Sequence, residues 1–244
     1  MFCDKSVIHS QRIDEMVISP RLKRIAESID NCNVMADIGT DHAYLPIYLI
    51  KLGRIKKAIA ADVNDGPLKI AMERINQNRL KDRIEVRKGN GLEILQAYEA
   101  DVIVIAGMGG ILMSDLIKKD MDIAKSAKLI ILQPMRDSDI VRRCLLENGF
   151  VITDEDLVKD EGKIYEILWA VTGSSVKHNE EKLLLGRHVI DRKHPLLAEL
   201  LDKRIRELEN VIKSISEAGT DNSRNRMEEC GKLLEYYREV RQWL

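Results

Sequence analysis

Short apolar runs alternate with amphipathic segments along the chain between residues 34 and 147. The apolar runs are rich in Val, Ile and Ala, which is typical of strands that are covered on both faces in a parallel sheet. The intervening segments follow a helical period, and Gly53 and Gly149 stand where glycines commonly end a helix. This alternation predicts a doubly wound α/β domain. We predict strands at Val34–Ile38, Ala58–Asp62, Ile84–Lys88, Val102–Ala106 and Leu129–Gln133, and helices at Ala43–Leu52, Pro67–Asn78, Gly110–Lys118 and Ser138–Glu147.

Segments on either side of this region complete the predicted domain. Ser19-Pro20 combines a helix cap with a proline in the first turn, and this helix is predicted to end near Asp30. Phe150–Val158 and Ile164–Val171 read as an antiparallel hairpin connected by Lys159–Lys163. Five strand–helix units followed by a hairpin are the strand succession of the Rossmann-like class I methyltransferases. A dinucleotide dehydrogenase more often continues with a sixth parallel strand, so the analogy concerns the fold and leaves function to the site.

A change of composition at Thr172–Ser175 divides the chain into a domain at 1–173 and a second domain at 174–244. The second domain is dense in charge and helical in period, with a polar turn at 217–223. We predict an antiparallel helical hairpin close to a coiled coil, which serves either as a scaffold or as an arm that grips a large substrate. Its apolar seam is formed by Leu201, Ile205, Leu208, Ile212, Ile215, Met227, Cys230, Leu234 and Tyr237.

The overall composition narrows the class of protein only slightly. The 244 residues are 45% hydrophobic and carry a formal net charge of −1, so no global basic field indicates nucleic acid. No apolar run is long enough to cross a membrane, and the first residues do not predict a signal peptide. The four cysteines are scattered without a CxxC pair, which favours a reducing cytoplasm and argues against a zinc site or a disulfide framework. We expect a cytoplasmic protein without a metal or membrane association.

The turn after the first predicted strand carries the most chemical information. Gly39 allows a ligand to approach the backbone closely, and such turns hold nucleotide-like ligands in open α/β sheets. The later glycines of a GxGxxG fingerprint are absent, and Thr40, Asp41 and His42 stand where a pyrophosphate would need bare backbone. Together with Asp37, these residues predict a ligand that has no pyrophosphate.

Asp62, which ends the second strand and precedes Val63, supports an adenosine-containing ligand. An acid at this place accepts hydrogen bonds from the two ribose hydroxyls. The alternative is that Asp62 caps the helix that follows. The pairing of Asp62 with the Asp37–Gly39 turn favours the ribose role but does not separate NAD from S-adenosylmethionine.

Three further turns follow the third, fourth and fifth strands. Asn90 and Gly91 either meet an adenine edge or form a simple turn. Ala106–Gly110, which contains Gly107, Met108 and Gly109, leaves open backbone where a flat substrate can lie. Gln133, Pro134 and Arg136 supply an amide and a guanidinium for a substrate pocket.

The turn after the fourth strand also lacks the motif that is typical of enzymes acting on exocyclic amines. Enzymes that methylate an exocyclic amine usually present an acid or amide there, followed by two prolines and an aromatic residue. A ring nitrogen needs less activation, because alignment with the methyl group supplies most of the rate. Methylation of adenine N1 leaves a cationic ring, and Asp41 is the candidate to stabilise the cation or to accept its proton.

His42 and Tyr44 flank the start of the second predicted helix. His42 is a candidate base or cofactor contact, but it could also cap the helix that begins at Ala43. Tyr44 is a candidate for stacking on a base, with packing in the core as the alternative.

The sequence resembles the bacterial tRNA (adenine22-N1)-methyltransferases along essentially its whole length. The resemblance rests on Asp37–Pro46 (DIGTDHAYLP), Ala106–Gly110 (AGMGG), Leu132–Pro134 (LQP) and the Ser19–Leu22 start. It implies a class I fold that uses S-adenosylmethionine, a coiled-coil-like C-terminal domain and adenine 22 of tRNA as the substrate. It also implies that Asp37, Gly39, Asp41 and Asp62 line the cofactor or catalytic pocket, whereas the position of Asn90 often holds an aspartate in the family.

With tRNA as the expected partner, two groups of basic residues become candidates for phosphate binding. The first is Arg21, Lys23 and Arg24, and the second is Arg187, Arg192 and Lys193. Unstacking of the target adenine into the pocket is expected. We expect a monomer, although the sequence leaves open whether the apolar seam of the helical hairpin closes on itself or meets a partner.

Three other functions are compatible with some of these predicted features. A small-molecule methyltransferase would use the helical hairpin as a lid or dimer contact. A catalytically silent RNA-binding module would keep the fold alone. An NAD-dependent oxidoreductase is disfavoured because Thr40, Asp41 and His42 occupy the pyrophosphate position.

Overall fold

A computed structural model describes residues 17–174, 180–218 and 221–244 of the chain. The chain divides into two compact units, Met1–His178 and Asn179–Leu244. The strands of the first unit are β1 Cys32–Ile38, β2 Ile55–Asp62, β3 Ile84–Lys88, β4 Val102–Met108, β5 Leu129–Pro134, β6 Phe150–Asp160 and β7 Lys163–Thr172. Its helices are α1 Pro20–Glu27, α2 Tyr44–Lys51, α3 Asp65–Gln77, α4 Gly110–Lys119, α5 Met121–Ser126 and α6 Ser138–Glu147, with a 3₁₀ turn at Gly91–Ile94.

The seven strands form a single sheet in the order β3-β2-β1-β4-β5-β7-β6. The first five strands run parallel, β7 is antiparallel to β5, and β6 is antiparallel to β7. This arrangement confirms the predicted parallel sheet with an antiparallel hairpin at its edge. The chain leaves β1 toward β2 and β3 and then returns to continue with β4 and β5, so the strand order reverses between β1 and β4. In open α/β sheets, ligands bind beyond the carboxyl ends of the strands at such a point.

Apolar side chains cover both faces of the sheet. Met35 on β1 and Val104 on β4 belong to one buried cluster, whereas Ala36 and Ile103 belong to the other. Neighbouring residues of a strand point to opposite faces, so these continuous apolar runs supply both clusters at once. This explains why the sequence of the parallel strands shows no alternation of polar and apolar residues.

Some boundaries differ from the predicted ones. Helix α1 ends at Glu27 and not near Asp30, because the hydroxyl of Ser28 donates to the carbonyl of Ile25 and closes the last turn. The predicted five-residue connection Lys159–Lys163 is wrong, since β6 extends to Asp160 and β7 begins at Lys163. The two residues between them, Glu161 and Gly162, have φ angles of 47° and 75°, which suit a tight turn between twisted strands.

A buried ion network joins the hairpin to helix α6. The guanidinium of Arg142 lies 2.5 Å from Glu155 on β6 and 2.6 Å from Glu166 on β7, and the Arg142 and Glu155 side chains are only 1% and 2% exposed. The hydroxyl of Ser138 donates to the second carboxylate oxygen of Glu166. Charges removed from water in this way are tolerated only when they are paired and hydrogen-bonded. The network therefore holds both strands of the hairpin against α6.

The described residues of the second unit form four helices and short turns. It consists of α7 Glu180–Leu185, α8 Arg187–Asp191, α9 Leu197–Ala218 and α10 Asp221–Trp243. The side chains of Leu201, Leu234 and Tyr237 are buried, and Arg241 of α10 forms an ion pair of 2.8 Å with Asp202 of α9. The predicted pair of amphipathic helices is thus confirmed. Both helices extend into the polar turn predicted at 217–223, since α9 runs to Ala218 and α10 begins at Asp221.

The described residues contain no helix with the length and apolar character that a membrane span requires. Within the same residues, no three His, Cys, Asp or Glu side chains are grouped closely enough to hold a metal ion. Cys32, Cys144 and Cys230 are free thiols.

We expect Arg142→Ala to destabilise the first unit by roughly 3–5 kcal/mol, because it removes the guanidinium that pairs with the buried carboxylates of Glu155 and Glu166. Urea unfolding followed by the fluorescence of Trp169, in a Trp243→Phe background, reports this unit. The control is Lys88→Ala, which removes an exposed ion pair with Asp65 and should cost less than about 1 kcal/mol. Equal losses in the two variants would show that the buried network does not stabilise the hairpin.

Candidate active site

The turn between β1 and α2 is fixed by its backbone. The amides of Gly39 and Thr40 both donate to the carbonyl of Ala61 at 2.8 Å, which ties the end of β1 to β2. Gly39 has a φ of +73°, and a Cβ atom at this residue would lie 2.2 Å from the terminal methyl of Met108. The left-handed backbone conformation therefore favours glycine here, and any larger residue would also have to displace the terminal methyl of Met108.

Asp37 is the buried acid of this turn. The hydroxyl of Thr40 donates to its Oδ2 at 2.6 Å, and the side chain lines a cavity with its neighbours. The pKa of Asp37 is raised to about 6, chiefly because the side chain is buried. The negative charges of Asp41 and Asp62 contribute to this increase, whereas the hydrogen bond from Thr40 and the charge of Arg21 oppose it. A cation bound beside Asp37 would offset the cost of keeping its carboxylate ionised.

Asp41 lies in a different environment from Asp37. Its side chain is 56% exposed, and Oδ1 lies 3.4 Å from Nε2 of His42. Asp41 lines two neighbouring cavities, so its carboxylate faces both of the spaces that a ligand and a substrate could occupy.

His42 does not cap the following helix, so this interpretation was wrong. The helix begins at Tyr44, and the capping position belongs to Ala43, whose φ of 57° is left-handed. His42 itself has a φ of 55°, and its Nδ1 is buried without a hydrogen-bond partner among the described residues. The left-handed conformations of two successive residues place the Asp41 and His42 side chains above the end of β1.

Asp62 ends β2, as the sequence predicted, and its Oδ1 accepts a hydrogen bond of 2.7 Å from the amide of Asn64. The capping residue of α3 is Asn64, so the alternative in which Asp62 caps this helix is wrong. The next residue, Val63, is 55% exposed despite its apolar side chain. An acid at this place can bind the hydroxyls of a ribose, and the exposed apolar side chain that follows it can contact the flat face of a base.

The turn after β3 is largely explained by packing. Gly91 has a φ of +66°, and a Cβ atom there would lie 2.4 Å from Leu116. The amide of Asn90 donates to the carboxylate of Glu93, and its side chain is exposed. Asn90 and Gly91 therefore have a structural role in this turn, and their predicted contact with the cofactor stays a prediction.

The turns after β4 and β5 are joined to each other. The amide of Met135 donates to the carbonyl of Met108, and the amide of Gly110 donates to the carbonyl of Arg136. A Cβ atom at Gly110 would lie 2.1 Å from the carbonyl oxygen of Asp137, so the glycine is required by this close packing. The glycine-rich run Ala106–Gly110 thus serves two purposes, since Gly107 lines a cavity while Gly110 allows the loops to meet.

The residues that follow β5 divide into buried and exposed positions. Gln133 and Pro134 are buried, and the side-chain oxygen of Gln133 accepts a hydrogen bond of 2.9 Å from Nη1 of Arg21. Arg136 is 79% exposed beside Asp137 and Gly109. Gln133 consequently acts on the site through Arg21, whereas Arg136 is available to a substrate at the surface.

The predicted basic cluster on α1 is separated by the structure. Arg21 lines the cavities, with Nε 3.8 Å from Asp160 and the guanidinium 5.9 Å from the centre of the Tyr165 ring. Arg24 pairs with Asp156 at 2.5 Å and lies over the Trp169 ring, and Lys23 is exposed. Arg21 and Arg24 thus have acidic partners on the hairpin while Lys23 is exposed, and a role of the three in phosphate binding stays a prediction.

The second basic group belongs to the helical unit. Arg187 pairs with Asp191 at 3.2 Å, and Nζ of Lys193 lies 4.1 Å from the centre of the Trp243 ring. Arg192 ends the short helix α8. These contacts stabilise the helical unit itself, and a role in phosphate binding stays a prediction.

Two neighbouring cavities collect the predicted residues at the carboxyl edge of the sheet. The smaller, of about 170 Å³, contains five predicted residues, namely Arg21, Asp37, Gly39, Asp41 and Gly107, together with Leu22, Leu45 and Ala106. The larger, of about 340 Å³, contains Arg21, Asp41 and the predicted Tyr44, and adds Val17, Ile18, Ser19, Leu22, Asp160, Glu161 and Tyr165.

Sequence reasoning missed the residues that β6 and β7 contribute to the larger cavity. Asp160 lay in a predicted connection, and Tyr165 occupied one position of a strand with no motif around it. No local signal distinguishes these residues, because they reach the site only after the hairpin packs beside β5.

Comparisons with known proteins agree with this geometry. Residues 18–168 match the family model described as a methyltransferase domain. The chain is 32% identical over 234 residues to the tRNA (adenine(22)-N(1))-methyltransferase of Bacillus subtilis, which covers 93% of this chain and 98% of the relative.

Solved structures show the same relationship. The crystal structure of the B. subtilis M1A22 tRNA methyltransferase superposes with a TM-score of 0.85 and 32% identity, covering 93% of this chain and all of that one. A putative tRNA (m1A22) methyltransferase of Streptococcus pneumoniae in complex with S-adenosyl-L-methionine superposes with a TM-score of 0.83 and 30% identity, over 92% of this chain and 100% of that chain. This chain belongs to the tRNA (adenine(22)-N(1))-methyltransferase family.

Proposed function

We propose that this chain transfers the methyl group of S-adenosylmethionine to N1 of adenine 22 in tRNA. The observation that carries the proposal is the placement of Asp37 and Asp41 around one cavity, with Asp41 shared by the next cavity, in a chain that matches a tRNA (adenine(22)-N(1))-methyltransferase over nearly its full length. One cavity then holds the cofactor, and the other admits the base.

The residues of the smaller cavity fit S-adenosylmethionine. The cofactor carries a sulfonium and an ammonium group, and the buried carboxylate of Asp37 would balance such positive charge. Asp62 at the end of β2 would hold the ribose hydroxyls, and the exposed Val63 would contact the adenine face. A ligand with a pyrophosphate would instead meet the carboxylates of Asp37 and Asp41, so NAD fits poorly.

Bound S-adenosylmethionine supplies an electrophilic methyl group. Adenine N1 attacks through a lone pair in the plane of its ring, so no proton has to leave before the carbon–nitrogen bond forms. The positive charge passes from sulfur to the ring. Asp41, at the boundary of the two cavities, would stabilise this charge as it develops. Its exposed position also allows it to pass a proton to solvent after transfer.

Recognition of tRNA requires surface outside the two cavities. Arg136 and Lys23 are exposed basic side chains of the first unit, and we propose them as phosphate contacts. The helical hairpin of α9 and α10 would serve as the substrate-binding arm. Its apolar seam is covered within the hairpin at Leu201, Leu234 and Tyr237, which supports a monomer. A tRNA substrate would place the protein in the cytoplasm.

Incubation with unmodified tRNA and methyl-labelled S-adenosylmethionine, followed by mapping of the methylated nucleotide, tests the proposed function. We expect N1-methyladenine at position 22, and no product when guanine replaces that adenine. Equal methylation of free adenosine would favour a small-molecule methyltransferase. Binding of tRNA without any methyl transfer would indicate a silent RNA-binding module.

We expect Asp41→Asn to lower kcat by roughly 10²-fold, because the cation that forms on the ring loses a carboxylate at the boundary of the two cavities. The affinity for S-adenosylhomocysteine, whose sulfur is uncharged, should change by less than about threefold. Single-turnover methylation of tRNA and calorimetric titration measure the two quantities. Asp65→Asn, an exposed acid on α3, is the control and should keep wild-type turnover. Full turnover by Asp41→Asn would exclude a catalytic role for Asp41.

We expect the affinity for S-adenosylmethionine to depend on the ionisation of Asp37. Because its pKa in the cofactor-free protein is raised to about 6, binding should weaken as the pH falls below 6, approaching roughly tenfold per pH unit. The same shift penalises the folded cofactor-free protein above pH 6, and this penalty disappears below the ordinary pKa of 3.8. Calorimetry between pH 5 and 7.5 should show weak, pH-independent binding by Asp37→Asn. A flat profile in the wild type would contradict the expectation.

A further inference from the structure

The larger cavity shares α1 and α2 with the cofactor cavity, and it adds a wall from the β6–β7 hairpin that the cofactor cavity lacks. Ser19 and Leu22 approach from the start of α1, Tyr44 from α2, and Asp160 and Tyr165 from β6 and β7. Its volume of about 340 Å³ falls within the range of about 300–1,000 Å³ that is typical of small-molecule sites. None of the hairpin residues lines the smaller cavity, so the two spaces are chemically distinct.

The two cavities nevertheless adjoin each other. They share Arg21, Leu22 and Asp41 as lining residues. Methyl transfer requires the accepting nitrogen to lie directly beyond the methyl group, in line with the bond that breaks. A base in the larger cavity can present its edge across this shared boundary toward the cofactor.

Two aromatic rings line the larger cavity, and they differ in what already covers them. The guanidinium of Arg74 lies 3.8 Å from the centre of the Tyr44 ring, so one face of Tyr44 is occupied. The guanidinium of Arg21 lies 5.9 Å from the Tyr165 ring, a looser contact. Tyr165 projects from β7, where it is paired with Val158 of β6, and the pairing of β7 with β5 begins three residues later at Leu168. A ring on a strand of the sheet is well suited to stack on a base.

Asp160 adds a carboxylate to the same wall. Its side chain is only 8% exposed, and the distance of 3.8 Å from Nε of Arg21 is too long for a hydrogen bond. The amino group of adenine donates hydrogen bonds, whereas guanine carries an accepting oxygen at the equivalent position. A buried carboxylate therefore favours adenine and repels guanine.

We propose that the target adenine binds in the larger cavity, stacked on Tyr165 with its 6-amino group directed at Asp160. The inference rests on the proposed function and deepens it by assigning the base-recognition residues to the β6–β7 hairpin. Arg21, held by Gln133 at 2.9 Å, separates this pocket from the cofactor cavity and positions Asp160 by its charge.

The stacking contact is tested with Tyr165→Ala and Tyr165→Phe. We expect Tyr165→Ala to lower kcat/KM for unmodified tRNA by roughly 10- to 100-fold, since a base–aromatic stack of this kind is lost, and Tyr165→Phe to stay within about threefold of the wild type. The control is Tyr98→Ala, an exposed tyrosine on the loop that precedes β4. Circular dichroism and the affinity for S-adenosylhomocysteine should be unchanged in all three variants.

A tRNA with 2-aminopurine at position 22 reports stacking without catalysis. This base lacks the 6-amino group, so the contact at Asp160 does not contribute, and the difference in fluorescence between variants at Tyr165 reports the stacking contact. We expect binding to the wild type and to Tyr165→Phe to quench the fluorescence more than binding to Tyr165→Ala. Equal quenching and equal kcat/KM in wild type and Tyr165→Ala would overturn the inference. Failure of the wild type to methylate adenine 22 would instead overturn the proposed function.

The contact at Asp160 is tested by combining Asp160→Asn with a tRNA that carries purine riboside, which has no 6-amino group, at position 22. Each change alone should lower kcat/KM by roughly tenfold or more, because one charge-assisted hydrogen bond is lost. Together they should cost little more than either alone, since both remove the same contact. Additive losses would mean that Asp160 acts only by supporting Arg21, and would overturn its assignment to base recognition.

Discussion

The amides of Gly39 and Thr40 share one acceptor, the carbonyl oxygen of Ala61, and this pair of hydrogen bonds sets the geometry of the site. It bends the chain sharply at the end of β1, beside the point where the strand order of the sheet reverses. Because the amides of Gly39 and Thr40 donate to Ala61, they are not available to hold a phosphate. In the proposed function, the side chains of Asp37 and Asp41 lie at the ligand instead, and carboxylates in place of backbone amides favour a cationic cofactor.

The two acids, Asp37 and Asp41, lie in different electrostatic environments. Asp37 is buried and hydrogen-bonded by Thr40, so its ionisation is costly until a cation is bound beside it. Asp41 is more than half exposed, which suits the proposed role of responding to the charge that moves from sulfur to a base. Arg21 lines both cavities, whose walls also include Asp37, Asp41 and Asp160, and its positive charge offsets part of their negative charge. The same residue types thus perform different tasks because their burial differs.

The hairpin connects the base pocket to the core of the domain. Its strands are tied to α6 through Arg142, Glu155 and Glu166, and its tip supplies Asp160 to the larger cavity. Apolar packing of the same groups would contribute more to stability than an ion network of this kind, but the network fixes how the two strands lie against the helix. The wall that carries Tyr165 is therefore held at a defined distance from Arg21, as recognition of a flat base requires.

The amino-acid sequence determined the order of strands and helices, the cofactor turn and the residues Asp37, Gly39, Asp41, Asp62 and Gly107, because parallel strands bring consecutive turns to one edge and each turn carries its own local signal. Only the tertiary structure shows that Arg21 and Arg24, three residues apart on one helix, contact different partners. It also shows that Gly91 and Gly110 lie where a Cβ atom would collide with neighbouring residues. It also brought Tyr165 and Asp160 to the site from more than a hundred residues away. Such contacts depend on how a hairpin packs beside β5, and no local pattern encodes the partner that a side chain meets after folding.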